Sequence, residues 1–473
     1  MAEFSCCSDT YLNATLAYCS SCQQVEQARI VSNQQGVFLE RICAQTGTQR
    51  SKLAADPAWY RQRLYCLPPL SQVNSPRPVQ LGCPLDCGPC QWHSNRLRLP
   101  IFSITNDCNL DCPKCFTYNR PDKKYFKDVE DTKKIINHII NATDGVQLIN
   151  LTGGEPLLHP QLFDILQACV HDKIRRITIN TNGLLLAENN LLAQRLKEAG
   201  VQLVFSLDTL DPDTSRLIHG RDITRQKQKA LEVLETLQIP TTLLHVCIKG
   251  VNDLESRTLI EKYIKKDFVR GVTIQNMTFT GQNGSRFSPR EHITLDEVEA
   301  LLCRNDTFRQ SDFFPHGGYH PLCYSIAYYV VCAERLFPLT RLLSWQVLQE
   351  LLENTYVLDP TKDLSQEFMA GVNRLWAEGE DEEVLRALKT FIQGLYPTDR
   401  QISVQDRQLW TEKNIKMIYI HAHMDEDNFD IDRVSRCGDL VPDESGALIP
   451  ACSYNLLYRQ RDPRFWKAVS KPG

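Results

Sequence analysis

Three cysteines, Cys108, Cys112 and Cys115, stand in the spacing CxxxCxxC and are followed directly by Phe116. Thiolates so spaced reach three corners of a cubane iron–sulfur cluster from one tight loop and leave the fourth iron without a protein ligand. An iron with a vacant position serves electron storage poorly, yet it can chelate the amino and carboxylate groups of a substrate. Zinc, held by the three cysteines and one further ligand, is the rival chemistry, because zinc favours tetrahedral thiolate sites. The same spacing occurs upstream at Cys83, Cys87 and Cys90, with His93 close behind. There, nothing local separates an iron–sulfur cluster from a structural zinc knuckle. Nearer the start, Cys19 and Cys22 form a CxxC pair with Cys43 downstream, a rubredoxin-like or zinc-ribbon pattern in which Cys66 is the expected fourth ligand. The adjacent Cys6 and Cys7 read as incidental or weak ligands, not as a strained vicinal bridge.

These groups need elements to hold them, and the middle of the chain supplies a rhythm. Apolar, β-rich runs at Leu97–Thr105, Val146–Leu151, Ile174–Asn180, Val201–Leu207, Thr241–Ile248 and Val272–Phe279 alternate with amphipathic stretches at Asp131–Asn141, Gln161–Cys169, Asn189–Ala199, Gln226–Leu237 and Leu254–Lys265. Such alternation predicts βαβ units and a parallel sheet. Six units fit an α/β fold with a partial (β/α)6 TIM-type barrel, whose chemistry belongs at the C-terminal strand ends. The CxxxCxxC loop follows the first of these strands. Thr152, Gly153, Gly154, Glu155 and Pro156 follow the second; the glycines permit close backbone approach and Glu155 offers an acceptor for an ammonium group. We expect a Cys-rich metal-binding head over 1–95, the barrel over 96–305, and over 306–473 a mostly helical extension that returns the ligands Cys323, Cys437 and Cys452.

CxxxCxxC-Phe one βα unit before Gly-Gly-Glu-Pro resembles the radical S-adenosylmethionine (radical SAM) superfamily. The resemblance implies that Cys108, Cys112 and Cys115 hold a 4Fe–4S cluster whose open iron binds S-adenosylmethionine. It places Phe116, Gly153, Gly154 and Glu155 at the cofactor, with Asn180, Asn182 and Gly183 after the third strand and Ser206 and Asp208 after the fourth facing cofactor or substrate. As turn and cap residues these last five have an equally ordinary structural reading. One electron delivered through such a cluster breaks a C–S bond and yields a 5′-deoxyadenosyl radical, which takes hydrogen from carbons no side-chain base deprotonates. The order of head, second knuckle, barrel motif and C-terminal signature (Asn428 to Cys437, then Ile449 to Asn455) is similar to one branch, that of archaeal dihydropterin methylases and tetraether lipid synthases. That branch implies a mononuclear iron in the head (zinc is the alternative) and one or more auxiliary 4Fe–4S clusters. Its Cys-Cys-His-Pro-x-Cys stretch reads here Gly318, Tyr319, His320, Pro321, Leu322, Cys323. Either a cluster at that point draws on His320, Cys332, Cys437 or Cys452 as substitutes, or it is absent. His421 and His423 read equally as ligands or surface residues.

Composition bounds the rest. The 473 residues carry a formal charge of −4, so no basic field argues for nucleic acid or an anionic membrane. The longest apolar run, Tyr324 to Cys332, falls far short of the roughly 20 residues that span a bilayer. The start lacks a basic segment followed by an apolar run, so a cytoplasmic location is expected. Nineteen cysteines in such a chain point to metal, not disulfides. The expected activity is radical carbon–carbon bond formation, either methylation of a small pterin-like molecule or coupling of alkyl carbons, with a flavodoxin- or ferredoxin-type electron donor. A peptide-modifying radical enzyme with auxiliary clusters is the alternative. A zinc-knuckle scaffold is the non-enzymatic one.

Overall fold

The computed structural model describes residues 9–70, 78–88, 90–119, 123–143, 145–332, 335–358, 364–443 and 446–464. Cys6 and Cys7 lie outside the described residues.

The head is an antiparallel meander of β1 (Thr10–Cys19), β2 (Gln24–Asn33), β3 (Gly36–Cys43) and β4 (Gly47–Ala54). In a meander the first and third turns share one end. Cys19 and Cys22 flank the first turn and Cys43 opens the third, so register alone gathers the three thiols. Half of the residues in β1 and β4 face solvent, which leaves these strands without the apolar runs that mark the central sheet.

The second sheet has twelve strands among the described residues. They are β5 (Leu99–Thr105), β6 (Val146–Gly153), β7 (Ile174–Thr181), β8 (Gln202–Ser206), β9 (Thr241–Cys247), β10 (Val269–Asn276), β11 (Phe314–Pro315), β12 (Tyr324–Cys332), β13 (Arg335–Pro338), β14 (Ile415–His421), β15 (Asp439–Pro442) and β16 (Leu448–Pro450). From β5 to β10 each strand pairs parallel with the next, with helices between them, including Val129–Thr143, Thr224–Leu237 and Ser256–Tyr263. Strands buried on both faces need Val, Ile and Leu at nearly every position, which is why their positions are readable. The chain then extends this sheet at both edges. β14 adds parallel to β10 and β12 antiparallel to β14, while β15 adds parallel to β5. The extension over 306–473 has its longer helices between about 345 and 414, with short ones at Ile431–Ser435 and Ala451–Ser453 running on through Tyr454–Tyr458, and its strands belong to the central sheet.

The inner faces of β5 to β10, β12, β14 and β15 line one central cavity of about 140 Å³. A sheet whose successive strands all meet one cavity is curled around it. The head docks on the extension through Tyr18 N–H to the Phe429 carbonyl and Thr15 to Asp430 Oδ1. The helix Pro57–Leu64 ties in through the buried Arg63–Glu299 pair at 2.6 Å.

Candidate active site

The loop bearing Cys108, Cys112 and Cys115 leaves the C-terminal end of β5 and is strapped from two sides. After β10, Gly284 N–H donates to the Cys115 carbonyl and Gln282 N–H to that of Thr117, while Asn283 Nδ2 donates to the Cys112 carbonyl. Gly281 has φ +85°, and a Cβ there would lie 2.0 Å from the Phe116 oxygen, so only glycine lets this strap close. From behind, Lys114, inside the loop, pairs at 2.6 Å with Asp208, which also accepts from His219 Nε2 and Val246 N–H. Burial alone would raise the Asp208 carboxyl, but Lys114 and His219 hold it well below the usual range. Asp208 is fully buried and anchors the cluster loop; it does not line the cavity. Ser206 donates to Asp208 Oδ2, and its carbonyl takes Lys227 Nζ at 2.6 Å. Both residues brace the loop, a positioning role that the sequence alone does not give.

The strand-end glycines are held tightly. Gly153 has φ +137°, and a Cβ on Gly153 or Gly154 would lie 2.1 Å from the Thr105 or Asp107 oxygen. Glu155 is 1% exposed; Oε1 accepts from Thr181 and from Leu157 N–H, and Oε2 from Asn182 N–H. Its carboxylate therefore joins the ends of β6 and β7, and one lone pair on Oε2 is left for an ammonium. Asn182 Nδ2 donates to Asn109 Oδ1 at 2.7 Å and reaches the Cys108 sulfur at 4.0 Å. Asn180 differs: its Oδ1 is buried without a partner and the residue lines the cavity, as a ligand contact requires. Burial raises the Cys108 thiol and pushes Cys112 up to about 12. Without a metal these thiols keep their protons, and a bound cation inverts that preference. Phe116 and Thr117 reach the cavity wall, which puts the thiol loop at its mouth.

Three further thiol groups surround this centre. In the head, the Cys19, Cys22 and Cys43 sulfurs lie within 4.8 Å of one another, close enough for a single ion. Hydrogen bonds from Thr46 lower the Cys43 thiol to about 7, the direction a metal ligand needs. Cys66 stands apart at the end of its helix, its thiol turned to the Gln62 carbonyl. In the second knuckle Cys87 and Cys90 are buried and Cys83 half-buried around a small cavity that His93 also lines. The His93 Nε2 is buried without a partner, so the site contains a free ligand atom beside three thiols.

In the tail, Cys323 just before β12, Cys437 just before β15 and Cys452 in the helical turn after β16 lie in one another's electrostatic field; Cys452 is buried and the other two half-buried, and burial pushes Cys452 up to about 12. His423 Nδ1 is 3.7 Å from the Cys452 sulfur. His320 Nδ1 accepts from Leu322 N–H, while its Nε2 lies 3.7 Å from Asp432, beyond hydrogen-bond distance. Cys332 is buried in an apolar cluster with Val330 and Phe337 at the far end of β12 and is no substitute. The sequence reading missed Arg433, whose Nη2 donates to the Leu322 and Ala422 carbonyls and reaches the Cys323 sulfur at 3.8 Å. It also missed Asp439, which accepts from Tyr319 and Tyr324 at 2.6 Å each.

The description "Radical SAM superfamily" matches residues 102–263, the span from β5 to the helix before β10. Residues 102–263 thus match a radical SAM domain. Over 97% of its length it is 24% identical to a 7,8-dihydro-6-hydroxymethylpterin dimethyltransferase of Methanocaldococcus jannaschii, 98% of which is covered. It is also 36% identical to a GTP 3′,8-cyclase of Chlorobaculum tepidum, over 37% of this chain and 52% of that one. Among solved structures it is similar to SuiB of Streptococcus suis bound to S-adenosylmethionine, with 21% identity, a TM-score of 0.32, and 39% and 40% of the two chains covered. Among the described residues, no helix is long and apolar enough to cross a membrane.

Proposed function

We propose that this radical SAM enzyme forms a carbon–carbon bond on a small, flat, polar heterocycle of the pterin class, by methylation. The observation that carries the reading is the character of the cavity beside Phe116. Asn150, Thr178, Gln202 and Gln275 line it together with Tyr324, Tyr356 and His421. Thr178 already bonds Asn150, and Gln202 bonds Thr242, so the polar atom that an alkyl chain would strand and a polar ring would meet is Asn180 Oδ1, at about 1–3 kcal/mol. Its modest volume points the same way. The methyltransferase named above, similar along the whole chain, acts by its name on a pterin.

In this reading the chain divides into head 1–95, partial (β/α)6 barrel 96–305 and extension 306–473, with strands of the extension completing the cavity wall. Cys108, Cys112 and Cys115 hold the 4Fe–4S cluster that supplies one-electron cleavage of S-adenosylmethionine when bound. Gly153, Gly154, Glu155, Phe116, Asn180 and Asn182 position the cofactor. Cys19, Cys22 and Cys43 take a mononuclear iron or zinc. Cys83, Cys87 and Cys90, and separately Cys323, Cys437 and Cys452, take auxiliary clusters. The electron donor is a flavodoxin or ferredoxin and the location cytoplasmic. The test is anaerobic reconstitution with iron and sulfide, then dithionite, S-adenosylmethionine and 7,8-dihydro-6-hydroxymethylpterin. 5′-Deoxyadenosine together with a methylated pterin by mass is the expected result. 5′-Deoxyadenosine with an unchanged pterin would remove the substrate and keep the radical chemistry.

A further inference from the structure

We propose that Asp439 reads the hydrogen-bond-donating edge of a 2-aminopyrimidin-4-one ring and so determines which heterocycle the cavity accepts. The proposal rests on the heterocycle reading above and narrows it to one ring edge. Asp439 opens β15, pairs with Leu99 of β5, and is 2% exposed, yet it forms part of the cavity wall. Each carboxylate oxygen has one donor: Tyr319 Oη on Oδ1 and Tyr324 Oη on Oδ2. A carboxylate offers about four acceptor positions, so about one per oxygen is left. Among the described residues no lysine or arginine lies within 4.0 Å of it; the nearest basic nitrogen is His421 Nε2, at 3.8 Å from Oδ2.

Arg98 offsets the Asp439 charge from a distance without forming an ion pair with it, so each oxygen keeps an acceptor position that a donor from the cavity can fill. Two oxygens side by side match two parallel N–H groups on a flat ring, the arrangement that makes bidentate pairing strong. The aromatic surroundings suit the faces of that ring. Tyr324 is stacked on His421 at 4.0 Å, and Tyr356 and Tyr419 complete a rigid wall beside them. Pterins present N3–H and the 2-amino group along one edge, and guanine presents N1–H and the 2-amino group in the same relation. The shared chemistry is therefore the 2-amino-4-oxo edge, from either a pterin or a guanine nucleotide.

The test is equilibrium binding to the anaerobically reconstituted holoenzyme of three probes: 6-hydroxymethylpterin, GTP, and 6-hydroxymethyllumazine (the lumazine below), which differs from the pterin only in carrying oxygen in place of the 2-amino group. The wild-type protein is expected to prefer the pterin to lumazine by roughly 10- to 100-fold. Asp439→Asn places an amide N–H opposite the 2-position, so it should lose pterin affinity and gain affinity for lumazine. Misfolding cannot produce that gain. A wild-type protein that binds pterin and lumazine alike overturns the role of Asp439 and leaves the pterin reading standing; that comparison needs no variant. An Asp439→Asn protein that keeps the pterin preference does the same. Binding of GTP without the pterin supports the edge reading and overturns the pterin substrate. Binding of none of the three overturns both.

Discussion

The barrel loop and the tail gather three thiols each by opposite means. Cys108, Cys112 and Cys115 come from eight consecutive residues, and the cation among them, Lys114, has a carboxylate at 2.6 Å. Cys323, Cys437 and Cys452 are drawn from three separate points of the fold, and the cation among them, Arg433, has no carboxylate within 4.0 Å among the described residues. Its electrostatic partners are the sulfurs of Cys323 and Cys452 and the buried Asp430 carboxylate, none of them in an ion pair with it. A buried guanidinium held only by such longer-range charges is costly, so the loop has a closer charge balance than the tail. In the proposed reading, an anionic metal–thiolate centre would tighten the balance at the tail, whereas the loop has its ion pair without one.

The sharpest test of this contrast is Cys112→Ala. It should bring 5′-deoxyadenosine formation to background and remove about four iron atoms per chain, while the tail keeps its iron because none of its ligands is near in sequence. Iron analysis and chromatography of the quenched reaction read both quantities. Loss of iron from both sites would show that they assemble as one unit.

Much of the loop and its sheet was legible because both depend on local signals. CxxxCxxC and Gly-Gly-Glu-Pro are short, and parallel strands such as Ile174–Thr181 and Thr241–Cys247 announce themselves by apolar runs. The tail was legible as a signature containing cysteines, without their surroundings. Nothing in the sequence says that Arg433 is buried, that His320 Nδ1 is taken by Leu322 N–H, or that Tyr319 donates to Asp439. The head sheet escaped for another reason: strands such as Thr10–Cys19 are half solvated and lack the alternation that marks a buried face. Asp208 was found as a strand-end residue, but its partner Lys114 was hidden inside the cysteine motif.

The next largest effect should follow Asp208→Ala. It strands Lys114 and the fully buried Lys227 without their carboxylate, and breaking such a pair typically costs about 3–5 kcal/mol. Thermal unfolding should fall by several degrees, and the loop should take up its cluster more slowly than the tail does. Equal slowing at both sites would deny the loop its separate brace.

Arg433→Gln should act on the tail alone and more mildly. Removing a positive charge about 4 Å from a cluster makes adding an electron harder, and at an effective dielectric near 20 the change is on the order of 100 mV. Spectroelectrochemical titration should show one cluster moved to lower potential, with that of the barrel loop unchanged. A potential that does not move would mean that no cluster sits beside Arg433.

Cys66→Ser should have the smallest effect. It tests whether a thiol near a metal site in sequence belongs to it in space. The Cys66 thiol points back to the Gln62 carbonyl at 3.9 Å, while Cys19, Cys22 and Cys43 already lie together at the end of the meander. Serine keeps a donor for that carbonyl, so stability should change by less than about 0.5 kcal/mol, and head metal content should match the wild type. Cys43→Ser is the control, because it removes a thiol that the Thr46 hydrogen bonds favour as thiolate and should empty the head of its ion. If Cys66→Ser also empties it, the helix Pro57–Leu64 must turn its end toward the meander when metal binds. The head would then share the tail's dependence on its metal and not the loop's preformed geometry.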